Sequence, residues 1–201
     1  MARLPPGPHR LPRELVRENQ RRRILEAALD VFAERGYVAT TVKDLIRVAR
    51  VSRATFYEAF ADKEACMDAL HAEVLARLAQ QVGAAVATPA DWDAKVRTAV
   101  ARAVGLLADN PRLAAVCAVE APASRIPSVR ARHERVVGEL CRALRDGRVG
   151  PRGKELPEIL EPALVCGAIY LVGRSIACGE GRDAGALGSE LAELMLIPYA
   201  D

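Results

Sequence analysis

From Gln20 onward the apolar residues of this chain recur at helical spacing, and no segment alternates convincingly with period two. Ile24, Ala27, Ala28, Val31 and Phe32 follow the i, i+3, i+4, i+7, i+8 stripe of an amphipathic helix. Gly36 then offers a stop, because a glycine just past a helix end takes the left-handed conformation without a Cβ clash. A second helix starts in "TTVKDLIRVA", with Thr41 as N-cap, Asp44 as a short capping-box partner and Val42, Leu45, Ile46 and Ala49 as its apolar face. Arg50 and Val51 form a turn, and Ser52 stands as N-cap of a third helix, Arg53 to Phe60. Two short helices joined by a brief turn are the outline of a helix-turn-helix.

The remainder continues in the same period. Asp62 caps a longer helix from about Lys63 to Val86, and Asp91 caps another to about Ala108. Pro111 opens a short helix to about Val119, "EAPASRIPSV" is a loop, and Val129 to Leu144 is helical. "RDGRVGPRGKELP" is a break. Ile159 to Cys178 is helical and apolar nearly all round, which predicts burial on most sides. "GEGRDAGALG" is a linker or a frayed helix start, and Leu187 to Ile197 closes the chain. The expected fold is therefore all-α, in three parts. Residues 1–19 are a flexible basic arm, and 20–66 a small unit with the helix-turn-helix at about 41–60. Residues 67–201 are a larger helical body.

Composition excludes several classes. The longest apolar run, residues 163–173, is too short to span a bilayer, which needs about 20 residues. The N-terminus has prolines and arginines but no apolar stretch of a secretory signal. No membrane association and a cytoplasmic location are expected. The five cysteines (66, 117, 141, 166, 178) form no CxxC pair and read as buried reduced thiols. With three histidines and no HExxH spacing, neither a metal site nor a cofactor is indicated. No Cys/His/Asp set or carboxylate pair has a recognisable catalytic spacing, so no catalytic residue is assigned and an enzyme is not expected. Charge is unevenly spread: residues 1–63 hold 13 Lys/Arg against 8 Asp/Glu, while the rest is slightly acidic. That is the footprint of a unit that meets a polyanion, or of a solvated basic tail.

Aromatic residues are few, yet Phe56, Tyr57 and Phe60 fall within five positions. On a helix, Phe56 and Phe60 share one face, and Arg53 and Tyr57 share a neighbouring one. Two rings can anchor the helix from behind while the third stands outside beside an arginine. A face built from Ser52, Arg53, Ala54, Thr55 and Tyr57 suits a DNA major groove, which admits one α-helix. The hydroxyls can meet phosphates, the arginine a guanine edge, and the small Ala54 lets the backbones approach.

The stretch "ILEAALDVFAERGYVATTVKDLIRVARVSRATFYEAFADKEACMDAL", within roughly residues 22–70, resembles the TetR family of bacterial transcriptional regulators. The likeness lies in the first helix with its Gly-Tyr stop, the paired threonines, the Val-Ser turn, the aromatic-tyrosine pair, Phe60 and Asp-Lys-Glu. The resemblance implies phosphate contacts by Thr41, Ser52, Thr55, Tyr57 and Lys63. It implies that Arg53 and Ala54, with Lys43 or Arg50, line or read the groove. Phe56 and Phe60 would pack on the first helix against Val31 and Phe32. Two positions depart from the pattern: Arg50 stands where the turn usually has glycine, and Ala59 where many members are polar. Glu58 beside it repels DNA.

The resemblance further implies a homodimer on palindromic operator DNA, released by a small-molecule effector held in the body, with repression as the default. Trp92, Cys117 and Tyr170, with His71 and His133, carry recognition chemistry that could serve the effector. Gly167 and the stripe Leu187, Leu191, Leu194 and Met195 could build a two-fold interface or an internal core. The rival readings are an enzyme assembled from distant Cys or His, and a helical small-molecule-binding protein with weakened or lost DNA recognition.

Overall fold

In a computed structural model, residues 12–88, 91–149, 153, 155–177, 179 and 183–200 are described. Their elements are helical throughout, and no strand occurs among them. Helix α1 spans Arg13–Ala39 and buries Ile24, Ala27, Ala28, Val31 and Phe32, the stripe read from the sequence, together with Leu25. It begins seven residues before the expected Gln20. Its first turns bury nothing, Leu15 being 50% exposed, so no apolar period marks them. The expected arm is thus helical over 13–19, and residues 1–11 lie outside the described residues. At Gly36 the backbone turns to φ 76° and ψ 158°, which kinks the helix where the glycine stop was expected.

Helix α2 (Val42–Ala49) and helix α3 (Arg53–Ala59) are the two short helices of the turn motif. Helix α4 runs Lys63–Val86 under an Asp62 cap whose carboxylate accepts from the Ala65 amide at 2.7 Å. Helix α5 is Trp92–Asp109, capped by Asp91 in the same way. Helix α6 (Pro111–Ala114) passes into a π-helical turn, Ala115–Glu120, closed by an Ala121 amide to Val116 carbonyl bond five residues back. Helix α7 is Pro127–Arg145 and α8 is Leu160–Val172, which enters a second π turn, Gly173–Ala177. Helix α9 is Ala184–Leu196, followed by a 3₁₀ turn, Ile197–Tyr199. Parts of the expected break (150–152, 154) and linker (180–182), and Cys178, lie outside the described residues.

The main core joins the turn motif to the body. Ile24, Phe32, Leu45, Phe56, Phe60 and Met67 pack in one cluster with Val116 and Val129. Because α4 crosses this cluster, the boundary expected after residue 66 falls inside a continuous helix. Two further clusters hold α5, α7, α8 and α9 together. Of the stripe that could build a two-fold interface or an internal core, Leu187, Leu191 and Met195 are buried inside the chain against residues such as Val104, Val165 and Val172. Leu194 remains 48% exposed and Gly167 partly so. Helix α8, expected to be covered on most sides, exposes Ala163, Cys166 and Tyr170. Its apolar surface exceeds what its neighbours in the chain can cover.

One buried carboxylate organises the far end of the body. Glu161, fully buried, accepts from Arg148 at 2.6 and 2.8 Å, Arg145 at 3.3 Å and the Tyr199 hydroxyl at 2.9 Å. The Arg148 guanidinium beside it holds its carboxyl down at about 2. Arg148 also donates to the carbonyls of Leu156 and Pro157, so one guanidinium fixes the approach to α8.

Candidate nucleic-acid interface

The turn motif is built by local bonds of the residues proposed to face DNA. Thr41 and Asp44 form a reciprocal capping box at the start of α2. The Thr41 amide and hydroxyl donate to the Asp44 carboxylate at 3.0 and 2.6 Å, and these bonds hold that carboxyl below its ordinary range. Ser52 Oγ accepts from the Thr55 amide at 3.0 Å and lies 2.8 Å from Thr55 Oγ1. A hydroxyl carries one proton. Thr41 has spent its own on Asp44, whereas the Ser52–Thr55 pair keeps one for an outside acceptor.

Between the helices, Arg50 adopts φ 52° and ψ 48°, the left-handed region, as the one non-glycine residue with positive φ among the described residues. Such a conformation costs a side-chain-bearing residue about 1 kcal/mol. The Arg23 guanidinium donates to the carbonyls of Ala49 and Arg50 at 2.6 and 3.0 Å. It thereby closes the end of α2 and offsets part of that cost. Arg21 lies 4.5 Å over the Phe60 ring. Arg21 and Arg23 are thus partly occupied in holding the motif together.

Helix α3 divides as its spacing requires. Phe56 is completely buried and Phe60 nearly so, their rings 5.9 Å apart in the cluster with Val31 and Phe32. Arg53, Ala54 and Tyr57 are exposed, as are Lys43, Arg50, Ser52 and Thr41, while Thr55 is half-buried. The Arg53 guanidinium rests 5.6 Å from the Tyr57 ring, and Phe56 meets that ring edge-on at 5.5 Å. The Tyr57 hydroxyl end is thus aimed outward by packing on both sides. Glu58 is exposed on the same helix, and Ala59 packs on the core.

Lys63 sits behind this surface. Its ammonium donates to the carbonyls of Tyr37 and Thr40 at 2.7 and 2.8 Å and lies 4.1 Å over the Tyr37 ring. Partial burial pushes its pKa down. Two of its three N–H bonds are therefore directed into the protein. Across the same corner, the Glu120 carboxylate accepts from the Tyr37 amide at 3.2 Å.

This geometry presents a short, aromatically anchored helix with hydroxyls and an arginine outside. Residues 24–70 match the family model described as bacterial regulatory proteins, tetR family. Over those residues the chain is similar to the tetR family. The HTH-type transcriptional repressor AcnR of Corynebacterium efficiens is 42% identical over 64 residues, 32% of this chain and 34% of AcnR. An HTH-type transcriptional regulator of Mycobacterium bovis, Mb0790c, is 29% identical over 144 residues, 69% of this chain and 65% of the relative. The chain thus matches less than two thirds of the length of these curated relatives. FadR from Bacillus subtilis, solved in complex with stearoyl-CoA, superposes with a TM-score of 0.70 over 87% of this chain and 96% of its own. At 22% identity that is a likeness of fold.

Outside the TetR-type unit, the effector residues singled out in the sequence are not brought together. Trp92 donates to the Ala143 carbonyl at 2.9 Å and meets Tyr199 edge-on at 5.0 Å. Cys117 packs against the main core, where burial pushes its thiol up to about 12, and Tyr170 is 60% exposed on α8. His71 is fully buried; its Nδ1 lies 3.3 Å from the Arg132 guanidinium, which also pairs with Asp68 at 2.9 Å. Burial lowers the imidazole to about 4. His71 Nε2 and Ser175 Oγ have no protein partner. The Glu120–Tyr37 and Glu161–Arg148 bonds escaped sequence reading, since no periodic signal marks a lone carboxylate's distant partner. Among the described residues, no group of three or more His, Cys, Asp or Glu is placed to hold a metal ion, and no helix is long and apolar enough to cross a membrane.

Proposed function

We propose that this chain is a ligand-responsive transcriptional regulator, acting as a repressor on palindromic operator DNA as a homodimer. The carrying observation is α3: Arg53, Ala54 and Tyr57 stand outside while Phe56 and Phe60 fix the helix from within. In this reading Arg53 reads a base edge with Ala54 at the groove wall. Lys43 and Arg50 line it. Tyr57, the Ser52–Thr55 pair and the remaining Lys63 donor meet phosphates, while Thr41, its proton given to Asp44, caps α2 instead.

The second copy follows from the body. Tyr170, Leu194 and Ile197 are 60, 48 and 64% exposed on the adjacent α8 and α9 and the turn that follows. A pair of chains joined there would present two recognition helices to successive major grooves about 34 Å apart. An effector in the body would act by favouring a spacing that no longer fits. His71, buried on the helix that carries the TetR-type unit, offers an unpartnered ring nitrogen for such a molecule. Because FadR was solved with stearoyl-CoA, acyl-CoA thioesters are the first molecules to try as releasing ligands.

The test is selection of bound duplexes from a random pool with the purified protein. A palindromic consensus with two equivalent half-sites is expected. Failure to enrich any sequence, with binding indifferent to salt between about 50 and 200 mM, would instead support a helical binding protein without DNA recognition.

A further inference from the structure

The corner between α1 and α2 is gripped from two sides. Lys63, in the first turn of α4, holds the carbonyls of Tyr37 and Thr40 at 2.7 and 2.8 Å. Glu120, from the far end of the chain's sixth helical segment, takes the Tyr37 amide at 3.2 Å. Gly36 makes room for it: a Cβ there would lie 3.1 Å from Glu120 Oε1, and its φ of 76° suits glycine. Arg112, in the same segment, pairs with Asp30 of α1. Glu120 closes the π turn 115–120, which packs against the second π turn, 173–177. A Cβ on Gly173 would approach Ala118 to 3.0 Å, so the two turns meet almost backbone to backbone.

A π turn holds one residue more than the α-helical path would, and such turns recur at functional sites. If residues 115–120 tightened to ordinary i→i+4 bonding, Glu120 would swing by about 100° around the helix axis and leave Tyr37. The π geometry and the grip on the corner are therefore one arrangement. Directly beyond that corner lies Thr41, which opens α2 and its capping box.

We infer that Glu120 is a positioning residue for DNA binding: its carboxylate ties the Gly36–Thr40 corner of the TetR-type unit to the π turn of the body. The tie sets the pose of α2 and α3, and a change in the register of the π turn releases it. This rests on the DNA-binding reading above, but the bond itself can be read without DNA.

The experiment compares the full-length protein with Glu120→Ala and Glu120→Gln. Amide hydrogen exchange at Tyr37 reads the tie, and affinity for the duplex enriched by the wild type reads its consequence. In Glu120→Ala, exchange at Tyr37 should rise about tenfold or more, a charged hydrogen bond having been removed. Affinity should fall about 5- to 30-fold with the far-ultraviolet spectrum unchanged. Glu120→Gln keeps a neutral acceptor and should fall between, since charge-assisted bonds are about twice as strong as neutral ones. Unchanged Tyr37 exchange in Glu120→Ala overturns the tie. Faster exchange with unchanged affinity reduces Glu120 to a structural contact and overturns the positioning role. A wild type that binds no duplex sinks the functional reading and the positioning role with it, while the exchange rate still decides the bond.

Discussion

Arg50 carries its left-handed backbone at a cost that glycine would not incur and that Arg23's bonds to the Ala49 and Arg50 carbonyls offset only in part. Arg50→Gly should therefore raise stability by up to about 1 kcal/mol, read as a higher urea midpoint with an unchanged slope. If Arg50 lines the groove, the same variant should weaken DNA binding and shallow its salt dependence by about one ion. Tyr57 makes the complementary case. Its ring is held by Phe56 and Arg53, and its hydroxyl offers a hydrogen bond to a phosphate. Tyr57→Phe should weaken specific and non-specific duplexes alike, by about 2- to 10-fold, and leave the salt slope unchanged. Arg53→Ala should behave differently again. It should relax preference at one base position by about 1–3 kcal/mol, visible as a flattened column in the selected-site profile. A profile identical to the wild type's would remove Arg53 from base reading.

At the scale of elements, what was legible in sequence was what is written locally. Thr41 with Asp44, and Ser52, Asp62 and Asp91, each lie within three residues of the amide they cap, and all four caps are present. The split of Phe56 and Phe60 from Arg53 and Tyr57 follows from spacing alone. Spacing identifies a face but not its partner, which is why the stripe of Leu187, Leu191 and Met195 fits a second chain or an internal core equally well in sequence, while α5 and α8 cover it in the fold. Long-range polar bonds leave no pattern at all. Glu161 shows how much such a bond can matter. Glu161→Gln removes the buried carboxylate that Arg148, Arg145 and Tyr199 share and should lower the urea midpoint. Glu158, 87% exposed on the same arginine pair, should be replaceable by Gln with no change in midpoint.

For the whole molecule, acid should act in two stages, and the signs follow from the two buried groups. His71 is lowered to about 4 from 6.5, so the unfolded chain binds its proton first; stability is full above pH 6.5 and declines as pH falls toward 4. Glu161 is lowered to about 2 from 4.5, so its contribution is intact above 4.5 and is lost as pH falls toward 2. Urea midpoints should therefore drop between pH 6.5 and 4 in a way that His71→Gln flattens, whereas Glu161→Gln should flatten the dependence below 4.5. A second whole-molecule consequence concerns the uncovered face of α8 and α9. Tyr170, Leu194 and Ile197 leave apolar surface in water that a copy of the same chain would remove. Sedimentation should show a dimer at micromolar concentration, and Tyr170→Glu, which places a charge in the exposed apolar face, should return it to the monomer. The monomer keeps an intact α3, so it should still bind one half-site, but weakly and without the preference for palindromic spacing. A wild-type chain that sediments as a monomer while selecting a palindrome would place the pairing on the DNA rather than on α8 and α9.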